Sequence, residues 1–160
     1  REEIRDRVVR GAGRESRAAH SAAGVASRPE MRALREFAER HSVTASSAEL
    51  SEYSDANSKF HQSIFDMSGS PLLKSTTDGL FAHMIAVRRR AMGENNRATH
   101  SVADHMGIIE ALEERDSELA SRRVRQHTMR LHDHIRERWA RLANRSKAVS
   151  ENVKEMGNKR

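Results

Sequence analysis

Only two prolines interrupt this 160-residue chain, and each sits where a helix can begin. Ser27 and Glu30 read as a capping box with Pro29 in the first turn of the helix they open. Ser70 reads as a second N-cap, with Pro71 again in the first turn. Between these points apolar residues recur at steps of three and four, and nowhere does the strict alternation of a strand appear. The expected fold is therefore all-α, an antiparallel bundle of about six helices.

The helices can be followed along the chain. A first runs from near the start to about Gly24, weakened on paper by Gly11 and Gly13, which are poor helix residues. The helix opened by Ser27 carries Met31, Leu34 and Phe37 on one stripe, and "HSVTASSAE" breaks it. A third, from about Ala48 to Met67, has Leu50, Tyr53, Phe60 and Ile64 at helical spacing and ends at "SGSP". The fourth, after Ser70, would turn Leu73, Leu80, Met84 and Val87 inward. A fifth is expected from about Ser101 to Glu114, and Asp116 caps a sixth that reaches about Ala143. Residues 1–145 then form one domain and 146–160 a charged tail.

Composition narrows the function classes. With 36% hydrophobic and only 4% aromatic residues, the chain suits a helical bundle better than a β-sandwich. The longest apolar run, "FAHMIAV", falls well short of the ~20 residues a membrane helix needs, so no membrane association is expected. With no cysteine, disulfides and thiolate metal sites are excluded, which fits a cytoplasmic location. The net charge of +6 is spread over "RVVRGAGRESR", "VRRRAMG" and "RERWARLANRSK". No phosphate loop, zinc-finger spacing or aromatic stacking motif accompanies it, so these stretches read as solvated helix faces.

Chemistry, where present, belongs to the histidines. On the third helix Tyr53, Asn57, Phe60, His61 and Ile64 share the inward side, which puts Asn57 and His61 one turn apart. His105 falls in the stripe of Val102, Ile109 and Leu112. His127 falls in that of Ala120, Val124, Leu131 and Ile135. Three helices each aim an imidazole at the core. Each is either an ordinary core histidine with a neighbour to bond or one of several donors to a shared cation, for which neutral imidazole is a good ligand. Zn, Ni, Fe and Mn all accept such a set. "HDH" at His132 to His134 reads as surface, and Trp139 as a core or dimer anchor.

The order of these residues resembles a known family. "NSKFHQSIFDMSGSPLL" followed by "DHMGIIEALEERDSELASRRVRQH" is similar to the ligand-binding FCD domain of FadR-like, GntR-type bacterial transcription regulators. That pattern has an Asp or Asn four residues before the His of a Phe-His pair, then Asn-Pro in a small-residue turn, Glu-His, Ala-Leu, Arg-Asp and a last-helix His. Here Asn57, Phe60-His61, Ser70-Pro71, Asp104-His105, Ala111-Leu112, Arg115-Asp116 and His127 occupy those places, with Ser70 and Asp104 as departures.

The resemblance implies a bundle around a central pocket that holds a divalent metal and a small organic acid, the metal on Asn57, His61, His105 and His127. It also implies a homodimer and operator DNA as a partner, read by an N-terminal winged helix-turn-helix domain that this chain does not supply. An effector carboxylate calls for a guanidinium, for which Arg88 is the candidate, with His83 nearby. The family's first-helix Arg has Gly11 in its place, flanked by Arg10 and Arg14, which makes Arg10 a further candidate. Two other readings compete: a metalloenzyme in which three histidines activate water, and a metal-free helical interaction module. Against the enzyme stands the lack of a Glu or Asp clearly placed on the inward stripes, though Asp104 and Asp55 are near in sequence.

Overall fold

The computed structural model describes residues 2–41, 47–75 and 97–157, and among these it contains six helices and no strand. They are α1 (Glu2–Val25), α2 (Arg28–Arg40), α3 (Ser47–Met67), α4 (Pro71–Ser75), α5 (Arg97–Glu113) and α6 (Ser117–Gly157). The all-α expectation holds. None of these helices is long and apolar enough to cross a membrane.

Local chemistry sets the boundaries. Glu30 N–H donates to Ser27 Oγ at 3.3 Å while Ser27 N–H donates to Glu30 Oε2 at 2.7 Å, so the capping box that opens α2 is complete. Ser70 Oγ accepts from Leu73 N–H at 3.3 Å at the head of α4, and Asp116 Oδ1 accepts from Leu119 N–H at 2.8 Å at the head of α6. The α5–α6 connection is a Schellman turn, in which Asp116 N–H reaches Ala111 O and Arg115 N–H reaches Leu112 O. It holds Arg115 at φ 60, a left-handed conformation that costs a non-glycine residue roughly 1–2 kcal/mol. Arg115 Nη1 in turn donates to Ala23 O on α1 at 3.1 Å, which ties the strained turn to the bundle.

One helix follows the sequence reading despite its glycines, and one departs from it. α1 is continuous through Gly11 and Gly13, because packing against α6, α3 and α5 outweighs the ~1 kcal/mol propensity cost of a glycine. α6 runs on to Gly157, past the end expected near Ala143 and through most of the charged tail. No proline or glycine lies between Ser117 and Gly157 to stop it.

The long α1–α6 pairing is made of small residues. Ala12, Ala18, Ala19, Ala22, Ala23 and Ala26 are all buried, and their short side chains let neighbouring helices approach closely. Around the later alanines gathers a dry core of Met31, Leu34, Phe60, Ile64, Phe65, Ile108, Ile109, Leu112 and Val124. Each large member contributes on the order of 1.5–3 kcal/mol by leaving water. α2 closes this core by packing on α5 and α3.

Candidate metal centre

Further along the same helices, a layer of the buried side chains becomes polar. Asn57 (1% exposed), His61 (0%), His105 (4%) and His127 (3%) are all inside, on α3, α5 and α6. The helical stripes put them there: His61 lies one turn before Phe65 and three residues before Ile64, and His127 lies three residues beyond Val124. One ring nitrogen from each of His61, His105 and His127 can be chosen so that all three lie within 4.8 Å of one another.

The rings are held from several sides. His105 stacks on Phe60 with ring centroids 3.9 Å apart, and its plane is tilted to that of His127. His61 Nδ1 lies 3.3 Å from Glu15 Oε2, and His127 Nδ1 lies 3.1 Å from Asp104 Oδ2. The two Nε2 atoms then face each other at 3.2 Å. His127 Nδ1 is within hydrogen-bond reach of Asp104, whereas His61 Nδ1 approaches Glu15 Oε2 only at ion-pair distance, and the proximity of the two Nε2 atoms calls for a shared proton or a cation. Nitrogen donors bound to one zinc at ~2.0–2.1 Å in tetrahedral array stand about 3.3 Å apart. The donor set therefore fits a divalent ion.

Asn57 takes part in a separate contact, accepting from Ser101 Oγ at 3.3 Å through Oδ1. Its Nδ2 is buried with no hydrogen-bond partner among the described residues. Half a turn of the amide exchanges the two atoms, so that Nδ2 donates to Ser101 Oγ and Oδ1 takes the position lacking a partner.

The carboxylates correct the sequence reading, which placed no acid clearly on the inward stripes: Asp104, noted there as near in sequence, reaches His127, and Glu15 was not foreseen. Glu15 is 3% exposed on α1, and its Oε2 also accepts from Thr128 Oγ1 at 2.7 Å. Glu15 stands between Ala12 and Ala18–Ala19 on the buried side of α1, so the alanine pattern marked its position. The glycines hid that pattern by making the helix look doubtful. Asp104 bonds both His127 and Arg130 Nη1. Burial pushes the Asp104 carboxyl up, but the hydrogen bonds from His127 and Arg130, with the Arg130 charge, outweigh it and hold it well below the usual carboxylate range.

The remaining expectations fare differently. Arg10 is 68% exposed and paired with Asp6, away from the buried face of α1, and the structure does not bring it to the histidines. His83 and Arg88, with Leu80, Met84 and Val87, lie outside the described residues, as do the side chains of Ile135 and Trp139. His132 is no surface residue: its side chain is 12% exposed and lies 3.2 Å from Asp133, because it sits one turn beyond the buried Thr128.

The arrangement is an all-α bundle in which three imidazoles gather, two of them with carboxylates behind the ring, as a candidate metal centre. The chain belongs to the FCD domain family, whose profile matches residues 15–130 and so spans both the dry core and the histidines. It corresponds to the C-terminal, effector-binding domain of FadR-like, GntR-family transcription regulators. No match was found among curated proteins.

Proposed function

We propose that this chain is the effector-sensing half of a DNA-binding transcriptional regulator, holding a divalent metal on His61, His105 and His127 with Asn57 as a fourth donor. The observation that carries the reading is the facing pair of Nε2 atoms at 3.2 Å, each imidazole backed at Nδ1 by a buried or half-buried carboxylate. Such carboxylate–histidine pairs fix the tautomer a metal needs and raise the basicity of the ligand. The partnerless amide position at Asn57 supports the fourth donor.

A small organic acid completes the coordination through its carboxylate, with Arg88 and His83 as its further contacts. Its binding shifts α3, α5 and α6 between two arrangements, and α1 or a homodimer interface passes the shift to N-terminal winged helix-turn-helix readers on operator DNA. The regulator works in the cytoplasm. Glu15 and Asp104 meet the Nδ1 atoms, on the far side of the rings from the cluster, so they serve as orienting groups and not as the acid or base of an enzyme.

The test is a thermal-shift screen of small carboxylates with and without chelator, alongside elemental analysis of the purified protein. Metal in near-stoichiometric amount is expected, with stabilisation by one class of acid that disappears after chelation. Acid binding of undiminished affinity in the chelated protein rejects the metal-dependent mechanism.

A further inference from the structure

The donors assigned to the cation bring no negative charge of their own. Three neutral imidazoles and one amide surround a site buried from water, where an uncompensated divalent charge is costly. Negative charge does stand close by, one step behind the rings. Glu15 is nine-tenths buried on a helix whose neighbouring inward positions are alanine, and a carboxylate there is expensive unless a task holds it. Its Oε2 accepts from Thr128 Oγ1 at 2.7 Å and lies 3.3 Å from His61 Nδ1, an ion-pair distance that a small rotation of the ring would turn into a hydrogen bond. Asp104 stands behind His127 in the same way but is shared with Arg130.

We infer that Glu15 is a positioning residue of the centre: it holds His61 as the Nδ1–H tautomer, turns the Nε2 lone pair toward His127 and His105, and supplies from behind the ring the charge that the Asn57 amide lacks. This inference rests on the metal reading above. Thr128 anchors the carboxylate, so α1, α3 and α6 meet at one oxygen atom. Because the charge reaches the ion through the ring, Glu15 strengthens His61 as a donor while leaving a coordination position open to an effector.

Two variants separate the parts of the role. Glu15→Gln keeps the shape and removes the charge; Glu15→Leu removes the acceptor as well. In metal-free protein carrying isotope-labelled histidine, long-range proton–nitrogen correlation is expected to report His61 as Nδ1–H in wild type and to lose that preference in Glu15→Leu. Zinc affinity, read by competition titration, is expected to fall about 10–100-fold in both variants. His61 found as the Nε2–H tautomer in wild type overturns the inference without recourse to any variant, and so does zinc held as tightly by Glu15→Leu as by wild type. A wild-type protein that takes up no zinc overturns the metal reading instead, and the tautomer signal then decides whether Glu15 orients His61.

Discussion

Four helices of this bundle each change character along their length, and they change together. α1 passes from Glu15 to Ala18–Ala23, α3 from Asn57 and His61 to Ile64 and Phe65, α5 from Ser101 and His105 to Ile108–Leu112, and α6, running the other way, from Ala120 and Val124 to His127 and Thr128. One end of the bundle is dry and closely packed. Beyond it lies a layer with a glutamate, an asparagine, a threonine and three histidines at similar depth, followed along the same helices by buried Val8, Ala12, Tyr53 and Leu131. Burying polar groups is favourable only where each finds a partner, and the polar layer achieves this incompletely, since Asn57 Nδ2 is left without one among the described residues. The dry core stabilises the fold, and the polar layer carries a hydrogen-bonding demand that the described residues leave partly unmet.

That division can be broken most directly from the dry side. Leu112→Ala is expected to lower unfolding free energy by ~2–5 kcal/mol in denaturant titrations, while the folded fraction binds zinc as wild type does. A matching loss of zinc affinity would mean that the core and the layer are not separable. His105→Ala sharpens the contrast from the other side: it should abolish stoichiometric metal uptake in elemental analysis. It should also remove the metal-induced rise in melting temperature, which is worth about 2.7 kcal/mol when free metal stands at 100 times Kd. Unaltered metal content rejects the assignment of His105.

The smallest effect belongs to neither region. Arg35 Nε and Nη2 donate to Glu113 at 2.8 and 2.6 Å, joining α2 to α5 at the surface. Both side chains are about one-third exposed, at 30% and 35%, so a double-mutant cycle is expected to give only ~0.2–1 kcal/mol. The bond to Arg35 lowers the Glu113 pKa below its ordinary 4.5. A depressed acid stabilises the fold in full above its unfolded value and loses that contribution as pH falls through the folded one. The coupling should therefore be constant near neutrality and vanish in acid. A coupling that grows below pH 4.5 would show that the sign is wrong.

The helices were legible because their signals are local. Ser27 with Glu30, Ser70 with Pro71, and Asp116 each mark a start within four residues of sequence, and side-chain oxygens accept the backbone N–H groups as expected. The inward placement of Asn57, His61, His105 and His127 was equally legible, since helical spacing records which face a residue occupies. Glu15 was not singled out, because its helix was read as weakened by two glycines and its inward face was set only by packing against α6, α3 and α5. His132 was misjudged for a related reason: residues two apart were known to face different ways, but which way met the bundle was not.

By itself, then, the sequence determined the fold class, the caps and the faces, together with the family pattern those faces carry. The tertiary structure alone decided that Glu15 Oε2 would meet His61 Nδ1, that Asp104 would meet His127 Nδ1, and that the two Nε2 atoms would come to face each other. Periodicity fixes the direction a side chain takes from its own helix axis. The relative rotation and register of two helices are set by the interlocking of all their buried side chains at once, and no single stripe contains that information.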